Sequence, residues 1–403
     1  MNIRTYLGSF PKPVLLLVLA TMVESTGRFM VVPYLSLHLR GEGISLGVLG
    51  LVLAASPVAS VIFGVWGGAL SDRWGRQPVQ LIGVWSSALA LFGFAFAGKL
   101  PVLLAALNFL NGMTRTFYRP ATSAAIADFS PPLKRSEAFA LNRIALNAAF
   151  GWGPLLGVAV FSWSPRAGFL IGGAVNLLAG IFIATTVPES LPPERRTKKP
   201  DTGIGIQEWR TILTDGVFWA WILGMALITG AYDLIQSFLP LHLADQGVPL
   251  WVYGSLLTLN ALVCVFGQLP VSRLLRSAPI SSVSFLSKIG YALGFLALAY
   301  LRSPWLLVAA MLVLSIAEIC GAAVQVRFLP ERALTHLLGR YHGLFTITEI
   351  GRAFSALFAG LLMERSGGSS VFVAAAILSL LGGVVLYFAG VGHERGSTDN
   401  PIG

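Results

Sequence analysis

Glu24 and Arg28 sit four residues apart in the stretch ATMVESTGRFMVVP, inside an apolar run that begins near Pro13 and ends near Leu39. A run of that length crosses a bilayer as a helix, which takes roughly 20 residues. Each charge at that depth costs roughly 2.5–3.5 kcal/mol to insert, so such charges persist where they face water or each other. Further on, LNFLNGMTRTFYRPA places Asn108, Asn111, Arg115 and Arg119 at steps of three, four and four, one polar face of a helix. Asp233, between Thr229 and Gln236, interrupts another apolar run, as does Glu318, with Gln325 seven residues on. Two kinds of chemistry are open to these groups. A carboxylate in a low-dielectric cavity favours its neutral form, so it can take a proton on one side and give it up on the other. It also attracts cations, whereas guanidinium groups suit carboxylates and phosphates. Glu24 and Arg28, at i and i+4, can also form an ion pair that only fixes packing. For Glu349 and Arg352, three residues apart, pairing is the expected arrangement. Asp233 and Glu318 have no partner close in sequence. Lys288 and Arg143 read as lying nearer the helix ends, where long side chains snorkel or make gating contacts.

The elements that must position these groups follow from composition. Of 403 residues, 55% are hydrophobic and only 11% are charged, against about 25% charged in soluble domains. The chain therefore reads as an all-α, polytopic membrane protein. Hydropathy marks twelve helices, at 13–39, 45–70, 78–98, 102–126, 138–162, 166–187, 217–243, 251–275, 281–301, 304–328, 340–363 and 370–391. The first is too long for a signal-peptide core and lacks a small-residue cleavage site, so it reads as retained. The longest polar gap, rich in Pro, Arg and Lys, separates an N-terminal six-helix half (1–187) from a C-terminal one (217–403) by a linker at 188–216. Seventeen of the 28 Lys and Arg residues fall on the side of the termini and linker, and five on the other. The positive-inside rule then puts both termini in the cytoplasm, and the net charge of +10 faces anionic lipid rather than nucleic acid. No metal-ligand spacing, nucleophile–base set or phosphate loop points to an enzyme. Cys264 and Cys320 lie in apolar segments and suggest packing rather than a disulfide.

The halves repeat. FMVVPYLSLHL in the first helix is similar to QSFLPLHLADQ in the seventh, with Pro33 and Pro240 near the outer ends. A parallel repeat of two six-helix halves is a transporter architecture with the substrate site near the midplane.

After the second helix comes Gly68-Ala-Leu-Ser-Asp72-Arg73-Trp-Gly75-Arg76. It resembles the signature loop of the major facilitator superfamily, with Gln77 where a basic residue is usual. Its glycines permit a tight turn, and its Asp and Arg residues can lock neighbouring helix ends through charge-assisted hydrogen bonds. In the fifth helix, Ala149-Phe-Gly-Trp-Gly153-Pro154-Leu-Leu-Gly157 resembles the antiporter signature of that superfamily, with Ala149 and Val158 in place of its outer glycines. Val187-Pro188-Glu189-Ser190 and Asp128 also look like family features. In the fourth helix the family's usual Arg is replaced by Asn108, so proton relay by that residue is not carried over.

The resemblance is to the twelve-helix drug:proton antiporter branch, and it implies a central cavity lined by the first, fourth, seventh and tenth helices. Those helices carry the buried charges. Glu24, Asp233 and Glu318 become the expected proton-coupling groups. The expected substrate contacts are Glu24, Arg28, Asn111, Arg115, Arg119, Asp233, Gln236 and Glu318. Gating is expected at Gly68, Asp72, Arg73, Gly75, Arg76, Asp128, Gly153, Pro154 and Gly157. The expected function is proton-coupled export of lipophilic or cationic drug-like compounds by alternating access. The rival is a carrier of an anionic or zwitterionic metabolite or lipid that uses Arg28, Arg115 and Arg119. The expected partners are a small-molecule substrate, protons and membrane lipids. No nucleic acid, cofactor or metal is expected, and the protein is expected to be a monomer in a bacterial inner membrane.

Overall fold

The computed structural model describes residues 6–192, 206–333 and 337–399. Of the positive residues counted above, Arg4, Arg195, Arg196, Lys198 and Lys199 lie outside the described residues, as does 193–205 of the linker. The described chain is all α-helical. Its principal helices are α1 (Lys12–Gly41), α2 (Leu46–Trp74), α3 (Arg76–Phe94), α4 (Pro101–Phe129), α5 (Arg135–Trp163) and α6 (Pro165–Thr186). They continue with α7 (Gly216–Ser237), α8 (Leu250–Leu274), α9 (Ile280–Tyr300), α10 (Pro304–Arg332), α11 (Arg340–Ser366) and α12 (Gly368–Asp399). A short helix, Ile206–Leu213, precedes α7. Among the described residues, eleven helices are long and apolar enough to cross a membrane. The twelfth, α4, has the length but not the apolarity, because it carries the Asn108–Arg119 face.

Several helix starts are written in the sequence. Pro stands in the first turn of α4, α6 and α10, where its missing N–H would have no partner anyway. Ser164 caps α6 by accepting from the Ala167 amide at 3.3 Å. Proline also explains where α1 is interrupted: the α-helix gives way to a 3-10 turn at Val32–Tyr34, around Pro33. In the second half, α7 ends at Ser237 and a short helix resumes at Leu239–Asp245, with Pro240 in its first turn. The two interruptions fall at the repeated motif.

Contacts group the chain into two compact units. Unit 1 comprises residues 1–44 and 55–202, and unit 2 comprises 45–54 and 203–403. In unit 1 the core gathers Val14, Leu17, Val84, Tyr118, Ile126 and Ile183 from α1, α3, α4 and α6. In unit 2, Trp221 of α7 stacks on Phe328 of α10 with centroids 3.9 Å apart.

Unit 2 also holds a buried carboxylate outside the spans. Asp215 caps α7 by accepting from the Phe218 amide at 3.0 Å. It also takes two bonds from Arg332, at 3.0 and 2.7 Å, and one from the Tyr341 hydroxyl at 3.1 Å. Burial pushes this carboxyl upward, but the Arg332 and Phe218 bonds outweigh it and hold the group below the usual carboxylate range. A depressed folded-state pKa contributes stability that is present above the unfolded value, about 3.9, and is lost as pH falls through the folded value. Asp215→Asn is therefore expected to lower stability at neutral pH by about 3 kcal/mol, since it leaves Arg332 without its partner. It should also flatten the acid limb below about pH 4. Thermal unfolding in detergent across that range checks both. An acid limb as steep as the wild type's would argue against this role.

Candidate functional site

In unit 1 the sequence-predicted charges meet. Glu24 is 2% exposed and Arg28 is 8% exposed. Arg28 Nε lies 3.5 Å from Glu24 Oε1, and Ser25 Oγ donates to Glu24 Oε2 at 2.9 Å. The guanidinium also lies 4.5 Å from the Phe29 ring centroid, a cation–π distance. Among the described residues, Arg28 Nε and Nη2 have no hydrogen-bond partner. The Glu24 carboxylate lines a cavity of about 150 Å³ with Thr21, Ser25, Arg119, Thr122, Ser123 and Asn142. Asn142 Oδ1 is buried without a hydrogen-bond partner among the described residues. Helices α1, α4 and α5 thus enclose this small cavity, whose walls Glu24 and Arg119 share with Tyr118 and Leu146.

The rest of the α4 face divides. Arg115 is half-buried, but Asn111 turns to α3 and accepts from Ser87 at 3.2 Å. Asn111 is thus a helix-packing contact in this structure. A 3.6-residue period places residues on one stripe but does not show which neighbour that stripe meets.

Unit 2 holds the other carboxylates. Glu318 of α10 is half-buried and accepts from Tyr232 of α7 and from Asn260 of α8, each at 2.8 Å. Asn260 also donates to Ser315 at 3.0 Å, which fixes its orientation. Lys288 of α9 faces the same region within electrostatic range of Glu318. Lys288 is 1% exposed and its ammonium stands 4.4 Å from the Tyr291 centroid. The expectation that it snorkels at a helix end is corrected: its side chain is inside. The helix face, not the depth along it, decides this. Gly321 makes room, because a Cβ there would stand 2.7 Å from Lys288 Nζ.

Asp233 has no partner close in sequence, and Arg352 of α11, distant in sequence, lies 3.6 Å from its Oδ1. The expected Glu349–Arg352 pair is present at 3.4 Å. For Gln236, a main-chain contact is seen: its carbonyl accepts from Tyr253 at 3.3 Å.

The α2–α3 loop forms a second assembly in unit 1. Arg76 is its centre. Its guanidinium donates to Ser71 at 3.0 Å, to Asp72 and to Asp128 at 3.2 Å. Ser190 also donates to Asp128, at 2.9 Å. Arg73 is exposed and stands outside this network. The Glu189 carboxylate sits on the N-terminus of α3, accepting from the Arg76 and Gln77 amides at 2.9 and 3.0 Å, where the helix dipole favours an anion. Gly75 has φ +105°, a region that needs glycine, and its missing side chain leaves room for that carboxylate. Gln77, the departure from the family pattern, donates its side-chain amide to the Val187, Ile183 and Ala184 carbonyls at 2.7, 3.2 and 3.4 Å. It caps the end of α6. Unit 2 repeats the device: Glu394 of α12 accepts from the amide and hydroxyl of Ser281 at the start of α9.

The Gly153–Pro154–Gly157 motif of α5 packs on α1 just after Arg28. A Cβ at Gly153 would stand 2.8 Å from that of Phe29, and Tyr34 donates to the Pro154 carbonyl at 2.5 Å. Gly68, by contrast, has open space around it.

The family profile described as Major Facilitator Superfamily matches residues 17–349. The chain belongs to the major facilitator superfamily. It is an integral membrane transporter, and not an enzyme. Over 377 residues it is 25% identical to YqjV, an uncharacterised MFS-type transporter of Bacillus subtilis (strain 168), covering 92% of this chain and 90% of that one. It is 27% identical to a Na(+), Li(+), K(+)/H(+) antiporter of Planococcus maritimus, covering 79% and 81%. It is also 25% identical to the quinolone resistance protein NorA of Staphylococcus aureus (strain MSSA476), over 55% of each chain. Among solved structures, the nucleoside transporter NupG superposes with a TM-score of 0.75 at 15% identity, covering 96% of this chain and all of that one. That likeness concerns the fold.

Proposed function

We propose that this transporter is a proton-coupled exporter of lipophilic cations, working by alternating access in a bacterial plasma membrane with both termini cytoplasmic. The observation that carries the reading is Glu318: a carboxylate at mid-helix depth, held by neutral donors and facing one buried lysine. Ionised, it balances Lys288 and offers charge to a cation. Protonated, it leaves Lys288 to repel one. Proton and cation thus compete for the same carboxylate, which is the requirement for exchange. The sequence likeness to NorA and to an antiporter supports the direction. Glu24 and Asp233 are proposed as further coupling groups, and Arg28, Arg115, Arg119 and Gln236 as substrate contacts.

A second reading, carriage of an anionic or zwitterionic compound, draws on the two Arg28 nitrogens without hydrogen-bond partners among the described residues. Binding of tetraphenylphosphonium and of benzoate by wild type and Arg115→Ala, between about pH 6 and about pH 9, decides between them. The cation reading expects tetraphenylphosphonium binding that strengthens with pH and survives in Arg115→Ala. The anion reading expects the benzoate dissociation constant to rise about tenfold or more in that variant, one decade being about 1.4 kcal/mol. Saturable benzoate binding lost in the variant, with no pH-dependent cation binding, would overturn the export reading.

A further inference from the structure

Helices α9 and α10 of unit 2 hold a groove of about 370 Å³ between them, within the range of small-molecule sites, about 300–1,000 Å³. Val283, Leu286, Val313 and Ile316 line it. Leu286, Val313 and Ile316 are exposed, which on a membrane-spanning helix means turned to lipid. Small residues leave the space: Gly290 packs on Ala317, where a Cβ on the glycine would stand 2.8 Å from that of the alanine. Two polar side chains also reach the groove, Ser287 of α9 and Cys320 of α10.

Behind these two the chemistry changes. Gly321 follows Cys320, and a Cβ there would stand 2.7 Å from Lys288 Nζ, 3.1 Å from Ser287 Oγ and 3.6 Å from Gln325 Nε2. An ammonium, a hydroxyl and a carboxamide thus border the space that the missing side chain leaves, and all three can donate. Among the described residues, neither the Lys288 ammonium nor the Gln325 side chain makes a hydrogen bond. Ser287 donates within its own helix to the Ser284 carbonyl at 2.9 Å, and a hydroxyl hydrogen turns to suit a better acceptor. Glu318, the carboxylate within electrostatic range of Lys288, is bonded to Tyr232 of α7 and Asn260 of α8, neither of which lines the groove.

Buried donors without acceptors call for an anionic head, and an apolar wall open to lipid calls for a hydrocarbon chain. Depth selects the head. Helix α9 has 21 residues, roughly 30 Å, the thickness of the hydrocarbon layer. Ser287, on a helix that starts at Ile280, lies roughly 10 Å along it. A glycerophosphate headgroup keeps to the interfacial layer outside the hydrocarbon. A carboxylate on a single chain is small enough to sit deeper, and Lys288 offsets the cost of its charge there.

We propose that the α9–α10 groove binds a long-chain fatty-acid anion taken from the bilayer. Its carboxylate sits beside Gly321 among Lys288, Ser287 and Gln325, and its chain lies along Leu286, Val313 and Ile316. The site is independent of the substrate and of the direction of transport.

Cys320 supplies the readout, because an occupant of the groove covers it. In a full-length Cys264→Ala chain in phosphatidylcholine nanodiscs, oleate is expected to slow alkylation of Cys320 by a membrane-soluble maleimide severalfold. Gly321→Ala puts a methyl where the carboxylate sits, and the flexible stem of Lys288 can bend aside for it. It should raise the oleate concentration for half-protection about tenfold or more, the scale of one lost charge-assisted bond. Lys288→Met should do the same. Val313→Trp fills the lipid side of the groove, leaves the donors untouched and should also weaken protection, so the outcome does not hang on a changed buried charge. Methyl oleate and dioleoylphosphatidylglycerol should protect far less than oleate. Equal protection by methyl oleate would reveal an apolar groove without anion recognition, and equal protection by the phospholipid an interfacial lipid site. Either result overturns the proposal, as would no protection by oleate, or parental protection in both Gly321→Ala and Lys288→Met.

Discussion

Glu318→Gln is expected to abolish accumulation of a lipophilic cation driven by an imposed pH gradient. The loss should be about a hundredfold or more, the scale of a positioned proton-transfer group, while downhill exchange of the same compound continues. Glutamine keeps the shape of the site and one acceptor for Tyr232 and Asn260, but it neither binds nor releases a proton. It also leaves Lys288 buried beside a neutral group. A buried ammonium that loses the negative charge within its electrostatic range is disfavoured, whereas removing both charges is often tolerated. Glu318→Gln with Lys288→Met should therefore unfold at a higher temperature than Glu318→Gln alone, yet stay uncoupled. The decisive measurement is uptake into proteoliposomes with and without the gradient. Wild-type accumulation by the single variant would remove Glu318 from the coupling scheme.

Gly157→Ala is expected to destabilise unit 1 strongly and to loosen the α1–α5 contact. The new Cβ would press into both the Met30 carbonyl oxygen and the Tyr34 ring, and a backbone atom cannot turn aside as a flexible side chain can. Overpacking of this kind costs typically 1–3 kcal/mol and occasionally more; about 3 kcal/mol is expected here. The methyl must also push α1 away from α5 at the 3-10 turn, which starts about one helical turn after Arg28. Cation binding beside Glu24 should weaken along with the thermal midpoint. Gly68→Ala, added where space is open, is the control. Equal midpoints for the two variants would show that the α1–α5 contact is not the constraint inferred from its geometry.

Much of this was legible in the sequence, and the parts that were not share a cause. Membrane helices announce themselves through local hydropathy, because about 20 consecutive apolar residues suffice. The Glu349–Arg352 pair and the Pro33 and Pro240 interruptions are also local. Asp233, by contrast, meets Arg352 from a distant helix, and no periodicity predicts a partner across a fold. Lys288 was misplaced because its position along α9 says nothing about which neighbour its face meets. Glu189 could be recognised as a family feature, but its use as an anion on the α3 amides follows only from the turn at Gly75. Asn260 and Asp215 carried no signal beyond being polar.

The polarity of α4 has a consequence for how the chain is made. A segment leaving the ribosome partitions into lipid one helix at a time, and Asn108, Asn111, Arg115 and Arg119 make α4 a poor candidate for doing so alone. Helix α3, which packs along it and supplies Ser87 to Asn111 and the Gly83 carbonyl to Thr114, must still be held at the translocon when α4 arrives. The two then enter as a hairpin with their polar groups already matched. The residues that make α4 polar thus also set the order of its assembly.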